Sequence, residues 1–166
     1  MKHFLGTLLV GAVLVATTLS WAGRAVEPGE ALPAVVLPDA HGNEHSVPYP
    51  GVRHVLFGAD MAANELMERA FGELDKGEFT ASGLVYMADI SGMPGLVARF
   101  FALPALRDYP FRVLLARDAD MLAFLPREEG TITVVTLSSE GEVSQVRYEQ
   151  DAARLAELLK PREPNG

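Results

Sequence analysis

The sequence predicts an α/β fold: a mixed sheet flanked by helices, with a β-hairpin extension at its N-terminal side. Three observations predict it. Short β-branched and aromatic runs, such as VRHVLF and GLVYMADI, carry few charges, as expected of strands covered on both faces. Two stretches between the strands, after Asp60 and around Pro94, carry apolar residues at helical spacing. The last third changes to an antiparallel pattern, TITVVTL and VSQVRY joined across SSEG, before a final helix.

The elements follow in order. Met1 to Ala22 holds a single formal charge, Lys2, then an apolar run from Phe4 to Leu19 and the small-residue exit Ser20-Trp21-Ala22. These are the parts of a secretory signal, with cleavage expected after Ala22. The alternative is an uncleaved anchor, since Phe4 to Ala22 nearly reaches the ~20 residues that cross a bilayer. Residues 23–31 read as an extended lead-in, 32–160 as the folded domain, and 161–166, PREPNG, as a loose tail. Within the domain, Leu32 to Pro48 forms a hairpin turning at His41-Gly42-Asn43. Val52 to Phe57 is a strand, and Met61 to Lys76 a helix with an apolar stripe through Leu66, Met67, Ala70, Phe71 and Leu74. Gly83 to Ile90 is the next strand. Pro94 opens a helix expected to stop near Leu103, because Pro104 disfavours a helical predecessor. Phe111 to Ala116, Thr131 to Leu137 and Val143 to Tyr148 are strands, and Asp151 caps a helix from Ala152 to Lys160.

Composition narrows the function. The net formal charge over 166 residues is −8, which repels phosphate backbones and argues against a nucleic-acid partner. There is no cysteine, so disulfides, thiol catalysis and sulfur-ligated zinc are excluded. Met61, Met67, Met87, Met93 and Met121 read mostly as core fillers, and the pair Phe100-Phe101 as core on at least one side. His54, inside a strand, reads as a satisfied core histidine.

The order hairpin, β-α-β-α-β, hairpin, helix resembles the thioredoxin-like arrangement. LPAVVLPDAHGNEHSV looks like the entry hairpin of thioredoxin-like periplasmic proteins and peroxiredoxins. YPFRVLLARDADML resembles the segment in which a strand ends in Asp before a turn and helix. TITVVTLSSEGEV resembles the strand-turn-strand that usually begins with a cis-proline. The span from Leu32 to Lys160 is also similar to the YtfJ family, a cysteine-free branch of exported proteins. The departures carry as much weight as the likeness. Where thioredoxin-like proteins place Cys-x-x-Cys, this chain has Asp60-Met61-Ala62-Ala63, and Ile132 stands where the cis-proline is expected. A non-proline cis bond costs ~3 kcal/mol, so the bond before Ile132 should be trans.

Two constellations remain. His41-Gly42-Asn43-Glu44-His45 matches H-x-x-E-H, a zinc-protease pattern that needs one helical face, whereas Gly42, Asn43 and the flanking valines favour a hairpin turn. Asp60, Asn64 and Asp89 fall at the carboxyl ends of parallel strands, where α/β sheets bind ligands. Thr131 should approach the same rim. The candidate binding rim is therefore Asp60, Met61, Asn64, Asp89, Thr131 and Ile132, with Asp60 also expected to cap the following helix. No catalytic residue, cofactor or metal is assigned. The expectation is an exported, periplasmic, non-redox binding or accessory protein. Its partner would be a protein or peptide of the cell envelope, with no nucleic acid and, once the signal is cleaved, no membrane. The alternative is an enzyme using the rim carboxylates, with or without a bound cation.

Export gives the first test. The intact mass of the protein recovered from a periplasmic fraction should correspond to an N-terminus at Gly23, and full-length chain in the cytosol would contradict it.

Overall fold

Each central strand divides its side chains between two apolar layers, and that alternation organises the molecule. The computed structural model describes residues 24–160; the expected signal segment, its cleavage site and the tail lie outside the described residues. The hairpin is β1 (Val35–Pro38) paired antiparallel with β2 (Glu44–Val47). The main sheet holds β3 (His54–Gly58), β4 (Leu84–Asp89), β5 (Val113–Ala116), β6 (Ile132–Leu137) and β7 (Val143–Glu149) in the order β5-β4-β3-β6-β7. β3, β4 and β5 run parallel, and β6 and β7 are antiparallel to their neighbours.

On one face Leu56, Tyr86, Leu115 and Val134 pack beneath α1 (Met61–Phe71) and α2 (Glu78–Ala81), together with Leu106 and Leu155 from later helices. On the other face Val55, Phe57, Val85, Met87, Leu114 and Val135 meet Leu37 and Val47 of the hairpin and Leu122, Phe124 and Leu125. The hairpin is therefore the lid of the second face. Burying a leucine or phenylalanine is worth about 2 kcal/mol, so an uncovered sheet face of this composition would not stay dry. The lead-in, expected to be extended, turns at Pro28-Gly29 and is pinned: Val26 N–H donates to the Phe124 carbonyl at 2.8 Å, and Gly29 N–H to that of Val143 at 2.8 Å.

The helices depart from expectation in three places. α1 ends at Phe71 rather than Lys76, closed by the Gly72 N–H on the Glu68 carbonyl at 2.7 Å. The chain then turns back to insert Phe79, whose ring lies 5.0 Å from Phe71 and stacks 4.9 Å from Phe111. That aromatic cluster outweighs the propensity that would prolong the helix. Second, the helical segment after Pro94 does not stop at Leu103. It runs as α3 (Gly95–Val97), a π-helical turn over Ala98–Ala102, and α4 (Leu103–Asp108). The Leu103 N–H reaches five residues back to the Ala98 carbonyl, and this wide turn accommodates Pro104, which has no N–H to give. Third, Phe100 and Phe101 are exposed, not core, because the wider turn rotates them away from the sheet. Met61 is exposed as well, whereas Met67 and Met87 are core and Met93 and Met121 pack at its margin. α5 (Ala152–Ala156) is capped by Asp151, which accepts from the Ala153 and Arg154 amides, and it tightens into a 3₁₀ turn over Glu157–Leu159.

The HGNEH stretch is a hairpin turn, with His41 in the loop and His45 in β2, so the helical face that the zinc pattern requires does not form. Asp39 organises it. Its carboxylate accepts from the backbone of His41 and Asn43, each at 2.9 Å, and from His45 Nε2 at 2.9 Å. Burial pushes Asp39 up, yet the hydrogen bonds, His45 first and then Asn43 and His41, outweigh it and hold the carboxyl well below the usual range. Glu149 behaves alike: burial raises it, while the Asp151 amide, Arg147 and the Gln150 amide outweigh that and lower it.

A depressed folded pKa contributes stability that is fully present above the unfolded value near ~4 and lost as pH falls toward the folded one. The melting temperature should therefore fall below about pH 4, and less steeply in Asp39→Asn than in the wild type. At neutral pH Asp39→Ala should cost about 1–3 kcal/mol in denaturant unfolding, the size of lost buried hydrogen bonds. A melting temperature flat down to about pH 2 would contradict this account.

Candidate functional site

The turn between β3 and α1 exists because Gly58 ends the strand without a side chain. A Cβ there would stand 2.6 Å from the Tyr86 hydroxyl, 3.1 Å from Ala63 Cβ and 3.3 Å from Ile132 Cδ1. Glycine thus lets α1 close down on the sheet. Two residues later Asp60, extended at φ −146°, supplies the helix cap: its Oδ1 accepts from the Ala63 N–H at 2.8 Å. Its second oxygen has a different task. Oδ2 accepts from the Gly130 N–H at 2.8 Å, so one carboxylate joins the start of α1 to the loop that leads into β6.

The same loop is held from the end of β4. Arg127 Nη1 donates to Asp89 Oδ2 at 2.5 Å, and its guanidinium lies 5.3 Å from the centre of the Phe57 ring. Asp89 Oδ1 accepts from the Ser91 N–H at 2.8 Å. Burial raises the Asp89 pKa, but the Ser91 and Arg127 hydrogen bonds prevail and keep it below the ordinary carboxylate value. Deeper, the buried Tyr86 hydroxyl donates to Asn64 Oδ1 at 2.5 Å, and burial pushes that phenol far up, so it stays neutral.

These residues enclose an open cleft of about 440 Å³. Asp60, Met61, Asn64 and Asp89 line it together, joined by Ile90, Met93 and Arg127. Thr131 and Ile132 do not. Both are buried, Thr131 donating its hydroxyl to the Glu128 carbonyl at 2.8 Å and Ile132 packing under α1. Among the described residues the only cis bond is Val47–Pro48, so the bond before Ile132 is trans. His54 is half-buried in β3, its Nδ1 3.1 Å from Thr136 Oγ1. Arg127 escaped sequence reasoning because its partner stands 38 positions away and its loop has no periodic pattern.

The chemistry open to this cleft is limited. A general base needs a free lone pair and a pKa near the working pH. Each Asp60 oxygen accepts one backbone amide and keeps a second lone pair, whereas Asp89 is paired with Arg127 and held low. Among the described residues no group of three or more His, Asp or Glu side chains could hold a metal ion.

No protein-family model matches the chain, and no curated protein does. Solved structures do match in shape. A peroxiredoxin-like protein from Aquifex aeolicus superposes with a TM-score of 0.53 at 13% identity, over 83% of this chain and 88% of that one. The peroxidoxin BcpB from Mycobacterium tuberculosis gives 0.54 at 15%, over 81% and 94%. The thioredoxin domain of a thiol-disulfide oxidoreductase from Bacteroides vulgatus gives 0.50 at 15%, over 80% and 97%. At such identities the likeness speaks for fold alone: the chain has a thioredoxin-like α/β fold, carried without any cysteine.

Asp60→Ala removes both a cap, worth ~1 kcal/mol, and the partner of the half-buried Gly130 amide, worth about as much again. Denaturant unfolding should show a loss of about 2 kcal/mol, with Asp60→Asn losing roughly half, since its amide oxygen can still cap. A gain in stability in Asp60→Ala would mean that the carboxylate is retained at a cost, for chemistry rather than structure.

Proposed function

We propose that the protein is an exported, non-redox member of the thioredoxin-like group that binds a protein or peptide of the cell envelope as an accessory factor. The observation that carries this reading is a run of exposed apolar side chains on the segment that follows the cleft-lining Met93. Leu96, Phe100 and Phe101 are 73%, 63% and 73% accessible, with Val97 exposed beside them in the chain; Met61, on the cleft wall, is exposed as well. Exposed phenylalanines grouped on one short segment are uncommon on a monomer and mark interaction surfaces. The cleft itself supports binding over catalysis, because its carboxylates are spent on holding the rim. Thiol exchange is ruled out by composition. Export rests on the signal-like first 22 residues, and the affinity with the YtfJ family on the pattern from Leu32 to Lys160.

The test is differential capture. Protein recovered from expression of the full chain, wild type and the Phe100→Asp/Phe101→Asp double variant, is used as bait against the envelope fraction of its native cell. An envelope protein enriched by the wild type should be lost with the variant while the fold, checked by melting, is kept. Equal capture by both baits, or no envelope protein enriched, would contradict the proposal.

A further inference from the structure

A second cavity, of about 660 Å³, adjoins the cleft and shares Ile90, Ser91 and Met93 with it. Its charge is one-signed. Arg99 from the π-helical turn, Arg107 from α4 and Arg117, one residue past β5, all line it, and no carboxylate does. In a chain of net charge −8 this is a local inversion. None of the cavity's three arginines has an ion pair among the described residues, a state they share with Arg53, Arg112 and Arg154, whereas Arg24, Arg69, Arg127 and Arg147 each have a carboxylate partner; what sets the three apart is that they line one concavity. Like charges brought into one concavity repel, and the arrangement is relieved by an anion that they share.

The geometry prepares one of them. Arg107 Nε donates to the Ala40 carbonyl at 2.8 Å, which fixes the guanidinium plane and leaves its two terminal nitrogens without a hydrogen-bond partner among the described residues. A planar fork of this kind meets a carboxylate or phosphate with two parallel hydrogen bonds. Apart from Ser91 and Gly95, the remaining wall is apolar, with Ile90, Met93, Ala98 and Leu103. The cavity also opens beyond the carboxyl ends of β4 and β5, the place where α/β sheets receive ligands, and its volume falls in the small-molecule range.

We propose that this arginine-lined cavity binds a small amphipathic anion, with a carboxylate or phosphate head on Arg99, Arg107 and Arg117 and a short apolar tail against Met93, Ala98 and Leu103. The site meets the exposed strip where the Arg99 guanidinium lies 5.8 Å from the centre of the Phe100 ring, yet anion titration and envelope capture are separate readouts, so failure of one leaves the other reading standing.

Isothermal titration of the purified protein, expressed as the full chain, tests it with four probes below their micelle-forming concentrations: octanoate, octyl phosphate, inorganic phosphate and octylammonium. Saturable one-to-one binding is expected for at least one of the octyl anions. The octanoate and octyl phosphate arms decide between the two heads, and octylammonium should give no saturable heat. Affinity should fall about tenfold in Arg107→Gln and in the Arg99→Gln/Arg117→Gln double variant, with partial retention in Arg107→Lys, as for charge-assisted hydrogen bonds. It should also weaken as sodium chloride rises from about 50 mM to about 500 mM. The double variant leaves the Arg107–Ala40 contact intact, so a folding defect in Arg107→Gln would not mask the result. No saturable binding of either octyl anion, equal binding of octylammonium, or unchanged affinity in the double variant would overturn the proposal. Inorganic phosphate binding as tightly as octyl phosphate would overturn its apolar half.

Discussion

The Asp60 carboxylate holds two parts of the chain that sequence separates by 70 positions. With one oxygen it caps α1, and with the other it grips the Gly130 amide in the loop before β6. The arrangement of the rim follows from that pair of bonds. With the loop anchored there, Arg127 can reach back to Asp89 at the end of β4, and Thr133 can donate to the Pro126 carbonyl from within β6. The corner between β3 and α1, where related folds carry reactive sulfur, is here a clamp of backbone amides around a carboxylate.

Carboxylates do the same work elsewhere in the molecule. Asp39 knots the β1–β2 turn, Asp89 ties the end of β4 to Arg127, and Glu149 gathers the amides that precede α5. Each is held below its ordinary pKa by donors that outweigh burial, so each adds stability that disappears on acidification. An acidic protein built this way spends part of its negative charge as structural acceptors. The arginines of the second cavity are the counterpoint: positive charge gathered with no acid in the lining.

Much of the frame was legible because it depends on local pattern. VRHVLF, GLVYMADI and TITVVTL announce strands through β-branching and missing charge; β4 and β6 lie within the last two, and β3 runs one residue past the first, to Gly58. The Asp60 and Asp151 caps were readable for the same reason, since a cap needs only the residues that follow it. What escaped depends on distance or on competition. Phe79 enters the core because Phe71 and Phe111 wait for it, a tertiary demand that cuts α1 short. Phe100 and Phe101 match a helical period whether they face the sheet or water, and only the π-helical turn decides it. At the rim, Asp60, Met61, Asn64 and Asp89 could be placed from strand ends, but Thr131 and Ile132 turned inward, and Arg127 carried no signal at all.

Amide hydrogen exchange, read residue by residue by NMR in wild type and Asp60→Ala, tests the clamp most directly. The account predicts that the Ala63 and Gly130 amides are protected in the wild type and that both lose protection together in the variant, while the β3 and β6 amides stay slow. A Gly130 amide that exchanges freely in the wild type, or protection that survives the loss of the carboxylate, would contradict it.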